Sequence, residues 1–139
     1  MKLSTKSRYG ARILVELAKN HPTGIPIQVS EISRRQGIPM KYLEQLVRLL
    51  RLAGIVRSVR GPKGGHVLNV PPDDISLGRV VRLFEGQSEL VECISSPDTC
   101  IKATGCRFRQ AWKEATDALY ANLDKVKIAD LMEPLDHSD

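Results

Sequence analysis

No stretch of this 139-residue chain is long and apolar enough to cross a membrane, because its longest apolar runs are broken by Arg, Lys or Glu within a few residues. The amino terminus, MKLSTKSRYG, also lacks the continuous apolar core of a secretory signal. A cytoplasmic location with no membrane partner is therefore expected. Glycine-rich phosphate loops and nucleophile motifs are missing, and the adjacent carboxylates Asp73-Asp74 read as helix-capping acids, so the chain is not expected to be an enzyme. Cysteine is scarce: Cys93, Cys100 and Cys106 are the full complement, and an odd number in one short window argues against a disulfide framework. Repeats and low-complexity segments are absent. What remains, with 42 % hydrophobic residues, is an ordinary globular composition and room for one compact domain plus a dimerisation element.

Acidic residues are scarce in one half only. Residues 1–70 hold 13 Lys/Arg against 3 Asp/Glu, a net +10, whereas residues 71–139 hold 8 against 13, a net −5, which together give the formal +5 of the whole. A concentrated positive half suits a nucleic-acid face, where neutralising phosphates releases counterions. A merely solubilising surface is the alternative. The helical pattern decides between them.

Between Gly37 and Gly65 the chain runs from a short amphipathic helix into a basic, glycine-rich hairpin tip. Leu43, Leu46, Val47 and Leu50 fall at i, i+3, i+4, i+7, the stripe of a half-buried helix, and Lys41, Gln45 and Arg48 share the opposite face. Long donors at that spacing reach base edges and phosphates in a major groove. Arg60 and Lys63 offer the same chemistry from the hairpin. Around this reader, Ser4 or Thr5 caps a first helix ending near Asn20, and a second runs from Gln28 or Val29 to Gly37. The third starts at Pro39 and ends near Ala53. Segments 55–59 and 66–70 form the hairpin, and Ser76 caps a helix that ends at Gly86. Helix-turn-helix followed by a hairpin is the winged-helix order.

The expected fold is mainly α with a small β-hairpin, a winged helix-turn-helix plus a long C-terminal dimerisation helix. Residues 1–72 form the DNA-binding domain, 73–107 a connecting helix and cysteine loop, and 108–139 the dimerisation helix and tail. The last helix, from about Phe108, carries Phe108, Trp112, Ala115, Leu119, Tyr120 and Leu123 on one stripe, more apolar surface than so small a domain needs. A homodimer interface is its natural use; packing against the first helix is the alternative.

The cysteines are spaced C-x6-C-x5-C, without the C-x2-C pair of most structural zinc sites. Three soft thiolates in one loop favour an iron-sulfur cluster or a soft metal, against free thiols or a redox-sensing pair. His21, His66 and His137 read as ordinary loop or wing residues.

Taken together, LSTKSRYGAR, ISRRQGIPMKYLEQL, VRSVRGPKGGHVL and the three cysteines before Trp112 closely resemble the IscR/NsrR-type winged-helix transcription regulators over nearly the whole chain. The resemblance implies a homodimeric bacterial repressor or activator that binds an imperfect palindrome of double-stranded DNA. It implies an iron-sulfur cluster, 2Fe-2S or 4Fe-4S, on Cys93, Cys100 and Cys106. It also implies DNA contacts from Lys41, Tyr42, Gln45, Arg48, Arg60 and Lys63. Tyr42, Glu44, Gln45 and Arg60 match the IscR branch, whereas Pro39 and Lys41 stand where that branch has serines. Arg109 stands where it supplies a histidine ligand, and Arg8 where the NsrR branch supplies an acid. Glu92, Asp98, a partner residue or a small ligand is left to complete the shell, and an incomplete shell makes a labile cluster. A cluster-free regulator similar to the CymR branch, controlled by a protein partner or thiol redox state, is the competing expectation.

Overall fold

Five α-helices and one two-stranded hairpin make up the computed structural model, which describes residues 2–86, 90, 94 and 105–132. Helix α1 spans Thr5–Lys19, α2 Val29–Gln36 and α3 Met40–Leu52; strands β1, Val56–Val59, and β2, Gly65–Leu68, follow; α4 spans Leu77–Glu85 and α5 Arg107–Lys125. The expected winged helix-turn-helix order is present, with boundaries within a residue or two of those read from the sequence.

Local chemistry explains the breaks. Gly37 ends α2 at φ +65°, a left-handed conformation that favours glycine, and Ser33 Oγ donates to the Ile38 carbonyl at 2.6 Å across the turn. Ile38 is buried, so this turn is pinned from both sides. Ser76 caps α4 by accepting from the Arg79 amide at 3.0 Å. Ser4 occupies the cap position of α1, but its side chain makes no cap bond: its hydroxyl donates to Glu85 at 2.6 Å. Pro72–Asp74, whose two acids read as helix-capping residues, forms a 3-10 turn of its own ahead of α4, and a second such turn at Ile128–Leu131 has no signal in the periodicity.

The hairpin is antiparallel, with Val56 opposite Leu68 and Ser58 opposite His66. Its second strand also pairs with Ile27: the Ile27 amide donates to the His66 carbonyl at 3.0 Å and the His66 amide returns to Ile27 at 2.8 Å. A β-carbon on Gly65 would stand 2.6 Å from the Ile27 backbone, so only glycine lets the two chains approach this closely.

Helix α1 threads the centre. Ile13, Leu14 and Leu17 meet Leu43, Leu46 and Leu50 of α3 in one buried cluster that continues through Ile75, Val80 and Ile128. Glu16 is buried on the same helix but is satisfied by Lys19, Arg35 and Gln36 at 2.6–3.2 Å, which ties α1 to α2. Burial raises its pKa; the hydrogen bonds from Lys19, Gln36 and Arg35 outweigh that and hold it below the usual carboxylate value.

Candidate nucleic-acid interface

Burying Leu43, Leu46, Val47 and Leu50 in the core fixes which side of α3 meets solvent. Lys41, Gln45 and Arg48 are exposed on that side. Tyr42 is not with them: it is half-buried, sharing a 2.8 Å hydrogen bond with Thr5 and setting its ring edge-on to Tyr9, 6.0 Å between centroids. Its position braces the start of the helix against α1. Leu49 and Leu52 are also exposed near the end of α3, with Leu52 73 % accessible, so apolar side chains interrupt the exposed face there beside Arg48 and Arg51.

The hairpin stands beside this helix. Arg51 of α3 donates to Ser58 of β1 at 3.1 Å, linking reader and wing. Arg60 and Lys63 are exposed at the turn, where Gly61 adopts φ +110° and Gly64 hydrogen-bonds back to Gly61 at 2.9 Å. One residue missed from the sequence joins them. Arg57, on β1, is exposed and lines a groove of about 580 Å3 together with Val59, Arg60, Pro62 and Lys63, whose far wall is Gly24 and Pro26. The alternation of the strand was the available signal, because Val56 faces the core and Arg57 must then face away.

His66 sits between wing and reader in a second, smaller groove of about 300 Å3, shared with Val29, Glu44, Arg48 and Arg51. Among the described residues its buried Nδ1 has no hydrogen-bond partner, and burial, then the charge of Arg51, lowers its pKa from the ordinary 6.5. Both effects favour the neutral imidazole over the charged one.

Of the three cysteines, Cys106 lies in the described residues; Cys93 and Cys100, with Glu92, Asp98 and His137, lie outside them. Cys106 is half-buried at the N-cap of α5 and its side chain makes no cap bond. Its sulfur, a soft ligand type, therefore stands at the first turn of α5. Arg109, one turn on, donates to the Ile94 carbonyl at 2.9 Å. A guanidinium has no lone pair to give a metal, so this residue holds the backbone of the cysteine segment instead. Among the described residues no group of three or more His, Cys, Asp or Glu is arranged to hold a metal ion, and no helix is long and apolar enough to cross a membrane.

Helix α5 is only lightly covered. Thr116 alone among its nineteen residues is buried; Phe108 is 74 % and Trp112 44 % exposed, while Leu119, Tyr120 and Leu123 are partly covered. Arg82 of α4 anchors the covered half by a bidentate pair with Asp124 at 2.6 and 3.0 Å and by lying 4.7 Å from the Tyr120 ring centre.

Comparison with known proteins agrees with this geometry. Residues 3–134 match the Rrf2 family, described as an iron-dependent transcriptional regulator. The protein rrf2 of Nitratidesulfovibrio vulgaris is 42 % identical over 132 residues, covering 95 % of this chain and 87 % of that one. Among solved structures, CymR, the global cysteine regulator of B. subtilis, superposes with a TM-score of 0.78 at 39 % identity, over 95 % of this chain and 96 % of that one. IscR of T. potens gives 0.76 at 32 % identity, over 95 % and 86 %. The family description and the CymR name are those of regulators, and none of these names is that of an enzyme. The chain, a helix-turn-helix with a basic wing and a cysteine at the head of a half-covered terminal helix, belongs to the Rrf2 family of DNA-binding transcriptional regulators.

Proposed function

We propose that this regulator acts as a homodimer on an imperfect palindrome of double-stranded DNA, and that the segment from Cys93 to Cys106 sets its affinity. The observation that carries the DNA contact is the exposed set Lys41, Gln45 and Arg48 on one face of α3, next to Arg60 and Lys63 at the wing tip. A helix in the major groove with a wing beside it uses such groups as base readers and phosphate contacts. Tyr42 contributes by orienting the helix start through Thr5 and has its hydroxyl at the same end. The open half of α5, with Phe108 and Trp112, supplies the apolar surface a second copy would cover. On this reading residues 1–72 bind DNA, 73–107 sense and 108–139 dimerise.

Cys93, Cys100 and Cys106 are the residues that would hold an iron-sulfur cluster, which would make DNA binding responsive to iron, oxygen, nitric oxide or redox state. The uncapped thiol of Cys106 and the match to a family described as iron-dependent support this reading. Arg109 favours a second one. Its contact with Ile94 fills, without a donor atom, the place where the IscR branch has a ligand, and the likeness to CymR points the same way, toward control by thiol chemistry or a protein partner. One experiment separates them. Protein purified anaerobically is tested by absorption spectrum, iron and sulfide content, and affinity for a duplex selected from a random library, before and after air. The cluster reading expects colour, its loss in Cys100→Ala, and a change in affinity on exposure; a colourless protein after careful reconstitution leaves the thiol reading.

A further inference from the structure

We infer that the groove behind the wing is a second phosphate-binding surface, in which Arg57 holds the DNA backbone outside the segment read by α3. This rests on the proposed DNA-binding mode and extends it. Three cations, Arg57, Arg60 and Lys63, converge on a groove of about 580 Å3, and its lining contains no carboxylate. Among the described residues none of the three forms an ion pair. Cations gathered without a counter-charge repel one another, and an anion relieves that repulsion.

The direction of the groove identifies which phosphates it meets. Ser58 faces α3, because Arg51 donates to it, and its cross-strand partner His66 lines the groove on that same side. Arg57 and Val59 alternate with Ser58 and so face the opposite way, toward Gly24 and Pro26. With α3 in the major groove and the wing tip beside it, this back face looks along the duplex away from the read segment. The surface is continuous with Arg60 and Lys63, and Val59, Pro26 and Pro62 line it between the cations. Three cations along one open groove match charges that repeat along a chain, so the partner it fits is a phosphate backbone.

The contact is electrostatic and blind to sequence, so it has a distinct signature. Each phosphate contact contributes about 0.9 to the slope of log K against log salt. Wild type, Arg57→Ala, Arg57→Lys and Arg60→Ala are titrated with the selected duplex, in one version ending at the palindrome and one carrying a further half-turn on each side. On the long duplex Arg57→Ala is expected to bind several-fold more weakly with a slope smaller by about one per protomer, and Arg57→Lys to restore both; on the short duplex Arg57→Ala should match wild type. Equal binding by Arg57→Ala on both lengths, or an equal loss on both, overturns the inference. So does an Arg57→Ala protein that binds DNA normally but loses an acidic protein partner. Arg60→Ala keeps the two readings apart: if it is weakened while Arg57→Ala is not, the wing still binds DNA and only the back-face contact is lost; if wild type binds no duplex, the DNA reading itself falls.

Discussion

At the scale of single residues, the reader divides into groups that meet solvent and groups that hold them in place. Gln45 has both a donor and an acceptor on its amide, so it can discriminate bases, whereas Arg48 and Lys41 carry charge that any phosphate accepts. Gln45→Ala should therefore cost about 1–3 kcal/mol on the selected duplex and little on unrelated DNA. Competition binding against both DNAs decides it; an equal loss on the two would make Gln45 a backbone contact. His66 yields a pH prediction. Its imidazole is held below its ordinary 6.5 by burial and by Arg51, with Glu44 and Arg48 lining the same groove. A folded state that resists protonation keeps its full stability above that value and loses it as pH falls. Tm should thus be level from pH 8 to 7 and decline from about 6.5 toward 5, and His66→Gln should remove the decline. The lowered carboxylates Glu16, Glu85 and Asp124 act in a lower window, below the ordinary carboxylate values of 4.5 and 3.8. An identical acid slope in both proteins would place the effect elsewhere.

At the scale of elements, α1 links the parts. Glu85, the last residue of α4, accepts from the Ser4 amide and from the Ser4 and Ser7 hydroxyls at 2.6–2.8 Å, and those bonds lower its pKa. The same end of α1 holds Tyr42 through Thr5. The helix that leads into the cysteine segment and the helix proposed to read DNA are thus fastened to one turn of α1. Helix α5 has the opposite character. Phe108 and Trp112 lie open in the single chain, so Trp112→Glu should shift the protein toward monomer and weaken binding to a palindrome far more than to a half-site. Sedimentation velocity reads the mass, and an unchanged dimer would move the interface elsewhere. Gly65→Ala, with a β-carbon 2.6 Å from Ile27, should unseat the wing at a cost of about 1–3 kcal/mol.

These elements also show what sequence reasoning reaches. The apolar stripe of α3 was legible because Leu43, Leu46, Val47 and Leu50 recur at helical spacing, and the hairpin was legible because valines alternate around a glycine-rich turn. Ser4 misled, since a cap residue and a side chain that reaches 81 positions along the chain to Glu85 look alike in one dimension. The bond between Tyr42 and Thr5 is another long-range contact that periodicity does not encode. Arg57 carries no such one-dimensional signal as a groove residue, because the groove exists only once the loop at Gly24 folds against the strand.

At the scale of the molecule, the amino-terminal half, proposed to meet DNA, is net positive, and the carboxyl-terminal half that carries the cysteines and the last helix is net negative. That split suits an arrangement in which phosphates are drawn to one end while the other senses and pairs. The central claim is that the cysteine segment governs the DNA face through a shared dimer. Its most direct test is the affinity of one anaerobic sample for the selected duplex, measured before and after oxidation and again after reduction, beside Cys106→Ala. A reversible change of at least about fivefold, a coupling of about 1 kcal/mol, present in the wild type and absent from Cys106→Ala, is the predicted result. Equal affinity in all three states of the wild type would contradict the account.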